Sequence, residues 1–183
     1  MVRLVVAVSG TPGTGKSVFS KILAKKLDAK LVNLKDLIEE RKIYTLDKDG
    51  TKVVDVPKLC REFARQIRAF RGPVVVEGLL AHLLPKRHVT HVVVLRARPQ
   101  VLERRLRARK YSEKKVRENL DAEALDIILW EAVETHGVDK VHEVDTTNLK
   151  APKAVELFLR ALEGKVPLRP GNIDWLEEHF KFE

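Results

Sequence analysis

Cysteine is nearly absent: among 183 residues there is one, Cys60. A single thiol excludes an internal disulfide and a cysteine-based zinc site. Cys60 falls in an apolar-periodic helical stretch, where a packing role is expected. No run approaches the roughly 18 consecutive apolar residues of a membrane span. The chain moves straight into an apolar strand pattern at Leu4, which leaves no room for a signal peptide in this sequence. No internal repeat and no low-complexity segment is visible. These absences lead to an expectation of a soluble cytoplasmic protein, nuclear if the source is eukaryotic, with no membrane partner. The length suits one domain with a sizeable core.

Charge, by contrast, is plentiful and unbalanced. The formal net charge is +9. A solvated surface rich in Lys, Arg and Glu accounts for it, and so does a polyanion partner such as nucleotide phosphates or RNA. Composition alone leaves both open.

Residues 10–17 read Gly-Thr-Pro-Gly-Thr-Gly-Lys-Ser. They fit G-x-x-x-x-G-K-[ST], the phosphate-binding P-loop pattern. The context strengthens the match. Leu4 to Val8 precede it as an apolar run typical of a buried parallel strand. Val18, Phe19, Ile22, Leu23 and Leu27 follow at helical spacing. Strand, glycine turn and helix are what phosphate binding needs. Gly13 and Gly15 let backbone N–H groups approach phosphate oxygens, and the helix N-terminus adds a positive dipole end. Lys16 is placed to reach the β- and γ-phosphates and the Ser17 hydroxyl to meet Mg²⁺.

Further along, strands are expected at Lys30–Leu34, Val74–Val76, Val92–Leu95 and Val141–Val144. Helices are expected at Asp36–Lys42, after an Asp55 cap with Pro57 in its first turn, from Pro99 to about Arg109, and from Pro152 to Gly164. Ser112 reads as the cap of one long helix with Val116, Leu120, Ile127 and Trp130 buried, ended by Gly137. Tyr44 to Val54, with Asp49-Gly50, reads as a turn or loop. Alternating strands and helices predict an α/β fold: a doubly wound, five-stranded parallel sheet with helices on both faces. From Lys165 the chain changes character. Pro167, Pro170 and Gly171 precede a short amphipathic piece with Ile173, Trp175, Leu176 and Phe180. That piece either covers the chain's own core or offers a docking surface.

A second constellation lies at Leu102-Glu103-Arg104-Arg105-Leu106-Arg107-Ala108-Arg109. Arg105 and Arg109, four apart, share a helix face. Phosphoryl transfer needs cations around the moving group, and planar guanidiniums suit that task.

With the P-loop, the L-x-x-R-L-x-x-R run, the Lys110–Lys115 stretch after it and Glu118-Asn119…Glu123, the chain resembles the small nucleoside monophosphate kinases. Within them it is most similar to the adenylate kinase isoenzyme 6 family, also called the coilin-interacting nuclear ATPases. The resemblance spans about Val2 to Leu162. It implies a P-loop NTPase domain at 1–164, with a monophosphate-binding arm at 35–72, a short lid at 105–118 and an extension at 165–183. It implies ATP and Mg²⁺ as cofactors. The implied activities are phosphoryl transfer from ATP to AMP or a related monophosphate, and ATP hydrolysis. Maturation of the small ribosomal subunit is implied too, with a small-subunit ribosomal protein and possibly ribosomal RNA as partners. A nucleotide-switched assembly factor and a kinase of another small acceptor stand beside this as alternatives.

Carried over by position, Gly13, Thr14, Gly15, Lys16, Ser17 and Val18 hold ATP, with Ser17 on the metal. Arg105 and Arg109 are lid residues, and Asn148, in Asp145-Thr146-Thr147-Asn148, borders the adenine. Lys16, Arg105, Arg109 and Glu77 make the catalytic set. Two positions depart from the family pattern. Glu39 stands where an Arg is common in the arm. Glu77-Gly78-Leu79 stands where Asp-x-His is common, leaving His82, three residues on, as an incidental loop residue or a substitute.

Overall fold

The computed structural model describes residues 3–48 and 50–180. Asp49 of the expected turn, residues 1 and 2, and 181–183 lie outside the described residues. The first strand, β1, is Val5–Ser9 and is buried throughout. Its side chains alternate between two cores. Val5 and Ala7 enter one, Val6 and Val8 the other. A strand apolar on both faces belongs in the middle of a covered sheet, because either polar face would be stranded there. That is its place. With β2 (Lys30–Asn33), β5 (Val74–Glu77), β6 (His91–Arg96) and β7 (Val141–Asp145) it forms a parallel sheet in the order β2-β5-β1-β6-β7. The two short strands numbered between them are described below.

Helices α1 (Lys16–Lys26) and α7 (Ala151–Leu162) cover one face. Phe19 and Phe158 meet there with ring centroids 6.2 Å apart. Each buried ring contributes roughly 1.5–3 kcal/mol by leaving water. On the other face lie α2 (Leu34–Glu40), α3 (Val56–Arg68) and α6 (Ile127–His136), with Phe63, Ile67, Ile128 and Leu129 inward. Helices α4 (Pro99–Ala108) and α5 (Glu113–Ala124) pack together around Leu102, Leu106, Val116 and Leu120. Caps agree with the sequence: Asp55 and Ser112 accept N–H bonds from Lys58 and Lys115. The expected doubly wound α/β fold is present, and no helix among the described residues is long and apolar enough to cross a membrane.

Three expectations need correction. Tyr44 to Val54 is not a plain loop. It forms an antiparallel hairpin of β3 (Tyr44–Leu46) and β4 (Lys52–Val54). Three-residue strands are too short for alternation to show, so pairing decides them. The long helix after Ser112 is two helices. Asp126 breaks it with φ 54°, a left-handed conformation that Asp tolerates, and its carboxylate is held by the buried Arg96. The break turns α6, so Ile128, Leu129 and Ala132 point inward while Ile127 and Trp130 are exposed, Trp130 at 63%. Cys60 is only half-buried, with its Sγ 3.4 Å from the Leu83 carbonyl.

The C-terminal segment folds back onto the chain. Trp175 is buried under the Arg98 guanidinium, 5.3 Å from its ring centroid. A last short helix, α8 (Leu176–His179), brings His179 Nε2 to 2.7 Å from Asp121. The Gly171 and Asn172 N–H groups donate to Glu143 at 3.0 Å each.

Candidate active site

The phosphate-loop pattern leaves the carboxyl end of the central strand, where ligands bind in open α/β sheets. Gly10 has φ 138°, and a Cβ there would lie 2.4 Å from the Leu95 carbonyl oxygen. The turn off β1 therefore passes against β6 with space for glycine alone. Gly15, φ 96°, is the N-cap of α1 and supplies no side-chain cap. The N–H groups of the first turn of α1 receive no capping side chain and are available to an anion.

Lys16 folds over its own loop. Its Nζ donates to the Gly10 carbonyl at 2.6 Å and the Thr11 carbonyl at 3.1 Å. Burial pulls its pKa down to about 8, against the pull of Glu77 and Glu123. Ser17 and Val18 are exposed beside it. Thr14 is buried, its hydroxyl donating to the Thr11 carbonyl at 2.8 Å.

Glu77 ends β5, in register with Val8 of β1. It is buried, and its Oε1 accepts from Asn33 Nδ2 at 2.8 Å. His82 is not an incidental loop residue. It lies in a 3-10 turn at Ala81–Leu83, almost fully buried. Its Nδ1 is 2.9 Å from Ser9 Oγ and its Nε2 is 2.8 Å from Glu131 Oε2. Burial lowers its pKa, with Glu131 opposing. Leu79 and Leu80 line the cleft beside Glu77, and His82 does not. His82 holds the end of β1 from behind.

The two arginines separate in role. Arg105 is stitched into the scaffold, donating to the Gly13 carbonyl at 3.2 Å and the Thr146 carbonyl at 3.1 Å. It ties the phosphate loop to the turn after β7. Burial, then the Arg109 and Arg104 charges, lower its pKa. Arg109 caps the end of α4 and is exposed. Thr146 adds a second tie, its hydroxyl lying 2.9 Å from the Thr14 carbonyl and 2.8 Å from the Arg96 carbonyl, with one proton to share between them.

Two clefts meet at the loop. One of about 730 Å³ runs from Lys16, Ser17 and Glu77 to Ile38, Lys52 and Val54. Another of about 470 Å³ lies between Thr14, Arg105 and the turn containing Thr147 and Asn148. Gly13, Gly15, Val18 and Arg109 border both. Each volume suits a small-molecule ligand. In the larger cleft Glu39 pairs with Lys52 at 2.6 Å, and Lys52 also lies 4.4 Å from the Tyr44 ring centroid. The hairpin thus brings a lysine to the wall where Glu39 replaces the expected arginine.

Among the described residues no group of three His, Cys, Asp or Glu side chains could cage a metal ion. The Ser17 hydroxyl and the Glu77 carboxylate are hard oxygen donors on one cleft. That pair fits Mg²⁺ held largely by phosphates and water.

One feature escaped the sequence reading. Arg96, at the end of β6, is buried among Glu123, Asp126 and Glu143. Burial works against its charge, and the carboxylates outweigh it, so its pKa is raised. A lone Arg closing an apolar strand was the available signal, because charges are seldom buried without partners.

An AAA domain family model matches residues 6–126. Archaeal relatives named "Putative adenylate kinase" match nearly end to end. The Pyrococcus abyssi protein is 39% identical over 174 residues, covering 95% of this chain and 92% of its own. The Thermococcus gammatolerans protein is 42% identical over 175 residues, covering 95% and 94%. Among solved structures, shikimate kinase from Acinetobacter baumannii, in complex with shikimate, superposes with TM-score 0.62 at 17% identity, covering 90% of this chain and 96% of its own. A gluconokinase from Sinorhizobium meliloti gives TM-score 0.56 at 17% identity, covering 89% and 93%. At such identities these two speak to the fold alone, that of an α/β P-loop protein.

Proposed function

The chain belongs to the AAA domain family and, with its archaeal relatives, to an adenylate-kinase-like P-loop family; from that premise we propose that it binds Mg·ATP and transfers the γ-phosphoryl group to AMP or a related nucleoside monophosphate. The observation that carries this reading is the meeting of two clefts at one phosphate loop. The smaller cleft, bordered by Asn148 and Arg105, takes the adenosine of ATP. The larger takes the acceptor, with Ile38 and Val54 against its base and Lys52 as a cation on the arm.

Gly13, Thr14, Gly15, Ser17 and Val18 surround the triphosphate. Lys16 leaves the Gly10 and Thr11 carbonyls for the phosphate oxygens. Lys16 and Arg109 then neutralise charge that spreads over the moving phosphoryl group. Arg105 keeps the loop and the adenine turn in register. An oxygen of the acceptor phosphate attacks the γ-phosphorus, the bond to the bridging oxygen breaks, and ADP leaves. Ser17, with Glu77 nearby, is where Mg²⁺ would be held, and when bound the ion withdraws charge from the phosphate oxygens. Residues 35–72 act as the monophosphate arm, 105–118 as the lid and 165–183 as an extension. Water replaces the acceptor when the larger cleft is empty, giving ATP hydrolysis.

The test follows ADP formation with and without each nucleoside monophosphate, for the wild type and Lys16→Ala. One monophosphate should stimulate the wild type. Lys16→Ala should lose turnover by about 10² or more with an unchanged circular dichroism spectrum. No stimulation by any monophosphate removes the kinase reading. A folded Lys16→Ala protein with normal turnover removes the phosphate loop.

Charge favours a second reading of the same site. Between residues 98 and 117 there are nine Lys and Arg against two Glu. With the resemblance to the isoenzyme 6 family, this supports a nucleotide-driven factor in small-subunit maturation that engages a ribosomal protein or RNA. It predicts ATP hydrolysis indifferent to monophosphates, and nucleotide-dependent capture of a small-subunit ribosomal protein.

A further inference from the structure

The buried charge cluster around Arg96 touches the phosphate loop and has no part in the transfer just described. Arg96 is 2% exposed. Its Nε donates to Glu123 Oε1 at 2.8 Å, and its terminal nitrogens donate to Glu143 Oε1 at 2.7 Å, to the Glu123 carbonyl at 2.9 Å and to Asp126. The Ala97 N–H donates to the same Glu123 oxygen at 3.0 Å. One oxygen of Glu123 is therefore clamped from two sides. The other, Oε2, accepts the Thr11 hydroxyl at 2.5 Å.

Thr11 is the second residue of the phosphate loop, and it is buried. Its carbonyl is the hub of the loop. It accepts from Lys16 Nζ at 3.1 Å, from the Thr14 N–H at 3.3 Å and from the Thr14 hydroxyl at 2.8 Å. Glu123, 112 residues away in sequence, thus holds the side chain of the residue on whose carbonyl Lys16 rests.

A buried ion cluster of this kind is weak evidence for stability, because apolar residues of the same volume often do as well. What it supplies is a fixed geometry. An anion site works best when its donors converge before the ligand arrives, so that no reorganisation is needed on binding. A glycine-rich loop has little rigidity of its own. A side chain anchored to the core and bonded to the loop's first turn would provide it.

We propose that Glu123 is a positioning residue of the phosphate loop: clamped by Arg96 and the Ala97 N–H, its carboxylate holds the Thr11 hydroxyl and so fixes the carbonyl against which Lys16 and Thr14 are set. It touches no substrate. The proposal rests on the reading of residues 10–17 as the ATP phosphate site.

Thr11→Val keeps the side-chain shape and removes only the hydroxyl. Thr11→Ser keeps the hydroxyl and drops the methyl group. Affinity for a non-hydrolysable ATP analogue with Mg²⁺ is measured by calorimetry, at a temperature where every variant is folded, with the wild type and Lys16→Ala alongside. Thr11→Val should bind roughly 10-fold more weakly, the scale of a lost hydrogen bond to a charged group. Thr11→Ser should stay near the wild type, and Glu123→Gln should lose at least as much as Thr11→Val. The Thr11 pair decides the matter even if Glu123→Gln does not fold. Equal affinity for Thr11→Val and the wild type, with Lys16→Ala still defective, overturns the proposal and leaves the phosphate-site reading standing. So does a lower melting temperature without a change in affinity, which would assign the contact to stability alone. So does a Thr11→Ser variant as weak as Thr11→Val, which would put the effect in the methyl group. A wild type that does not bind the analogue removes the phosphate-site reading and the proposal with it.

Discussion

Lys16 enters the folded protein with its pKa lowered to about 8, burial being the main cause. The ordinary value for Lys is 10.5. The sign of the consequence follows from proton counting. Between these values the unfolded chain binds more protons than the folded one, so the Lys16 contribution to stability rises with pH across that window. At neutral pH the charged Lys16 is a cost to the fold, and under the proposed function an arriving polyphosphate would relieve it. Under that proposal nucleotide binding should raise the Lys16 pKa again and draw in a proton wherever the empty site has lost it. Affinity for the ATP analogue should therefore fall as pH rises beyond about 8. Calorimetry above that pH, in two buffers of different ionisation heat, should show proton uptake on binding. Lys16→Ala should remove the uptake, and an uptake that survives the substitution would assign it to another group.

Helix α4 presents two arginines four residues apart, yet its end divides their work. Arg105 sits inside the last turn and reaches the Gly13 and Thr146 carbonyls. Arg109, one residue past the helix, borders both clefts. Arg109→Ala should lower turnover by about 10²–10³ with little change in ATP affinity, since its charge is needed only as charge develops. Arg105→Ala should instead weaken ATP binding, because the phosphate loop and the turn after β7 lose their tie. Steady-state rates paired with analogue affinities separate the two. Identical profiles would show that the helix acts as one basic surface. Spacing alone made the arginines equivalent. Which of them ties backbone carbonyls together and which borders both clefts depends on where the helix stops. The α5–α6 break is the same kind of fact. A periodic apolar pattern ran through it, but Arg96 draws in Asp126 and the stripe behind it rotates.

The C-terminal segment draws on the whole molecule. It meets β7 through Glu143, α5 through Asp121 and the start of α4 through Arg98. Glu143 also binds Arg96, so the segment and the phosphate loop share one buried cluster. Deleting residues 167–183 removes the buried Trp175 and two N–H donors to Glu143. Loss of a buried Trp costs about 3 kcal/mol or more, or about 6–12 °C in melting temperature at this chain length. Thermal unfolding of the truncated chain checks it. An unchanged melting temperature, with weaker capture of a small-subunit ribosomal protein, would mean that the segment serves a partner instead of the core.

The phosphate-loop pattern, the apolar first strand, the spacing of Arg105 and Arg109, the Asp55 and Ser112 caps and the doubly wound class were legible in the sequence. All of these are set by neighbours within a few residues: a strand apolar on every position, glycines at fixed offsets, caps beside the turns they close. The short hairpin, the break at Asp126, the burial of His82 against Ser9 and Glu131, and the Arg96–Glu123–Thr11 chain were not. The hairpin strands are too short for alternation to show. The other three depend on partners tens of residues away, and the lone Arg96 at the end of an apolar strand was the one local sign of them. Glu123 shows the difference most plainly. Its position in α5 followed from helical periodicity, but only the packing of α5 beside β6 and the phosphate loop brings its carboxylate between Arg96 and Thr11. A buried charge is tolerated only where the fold delivers its partners, so the residues that set the site were settled by tertiary structure, while the motif they support was written in the chain.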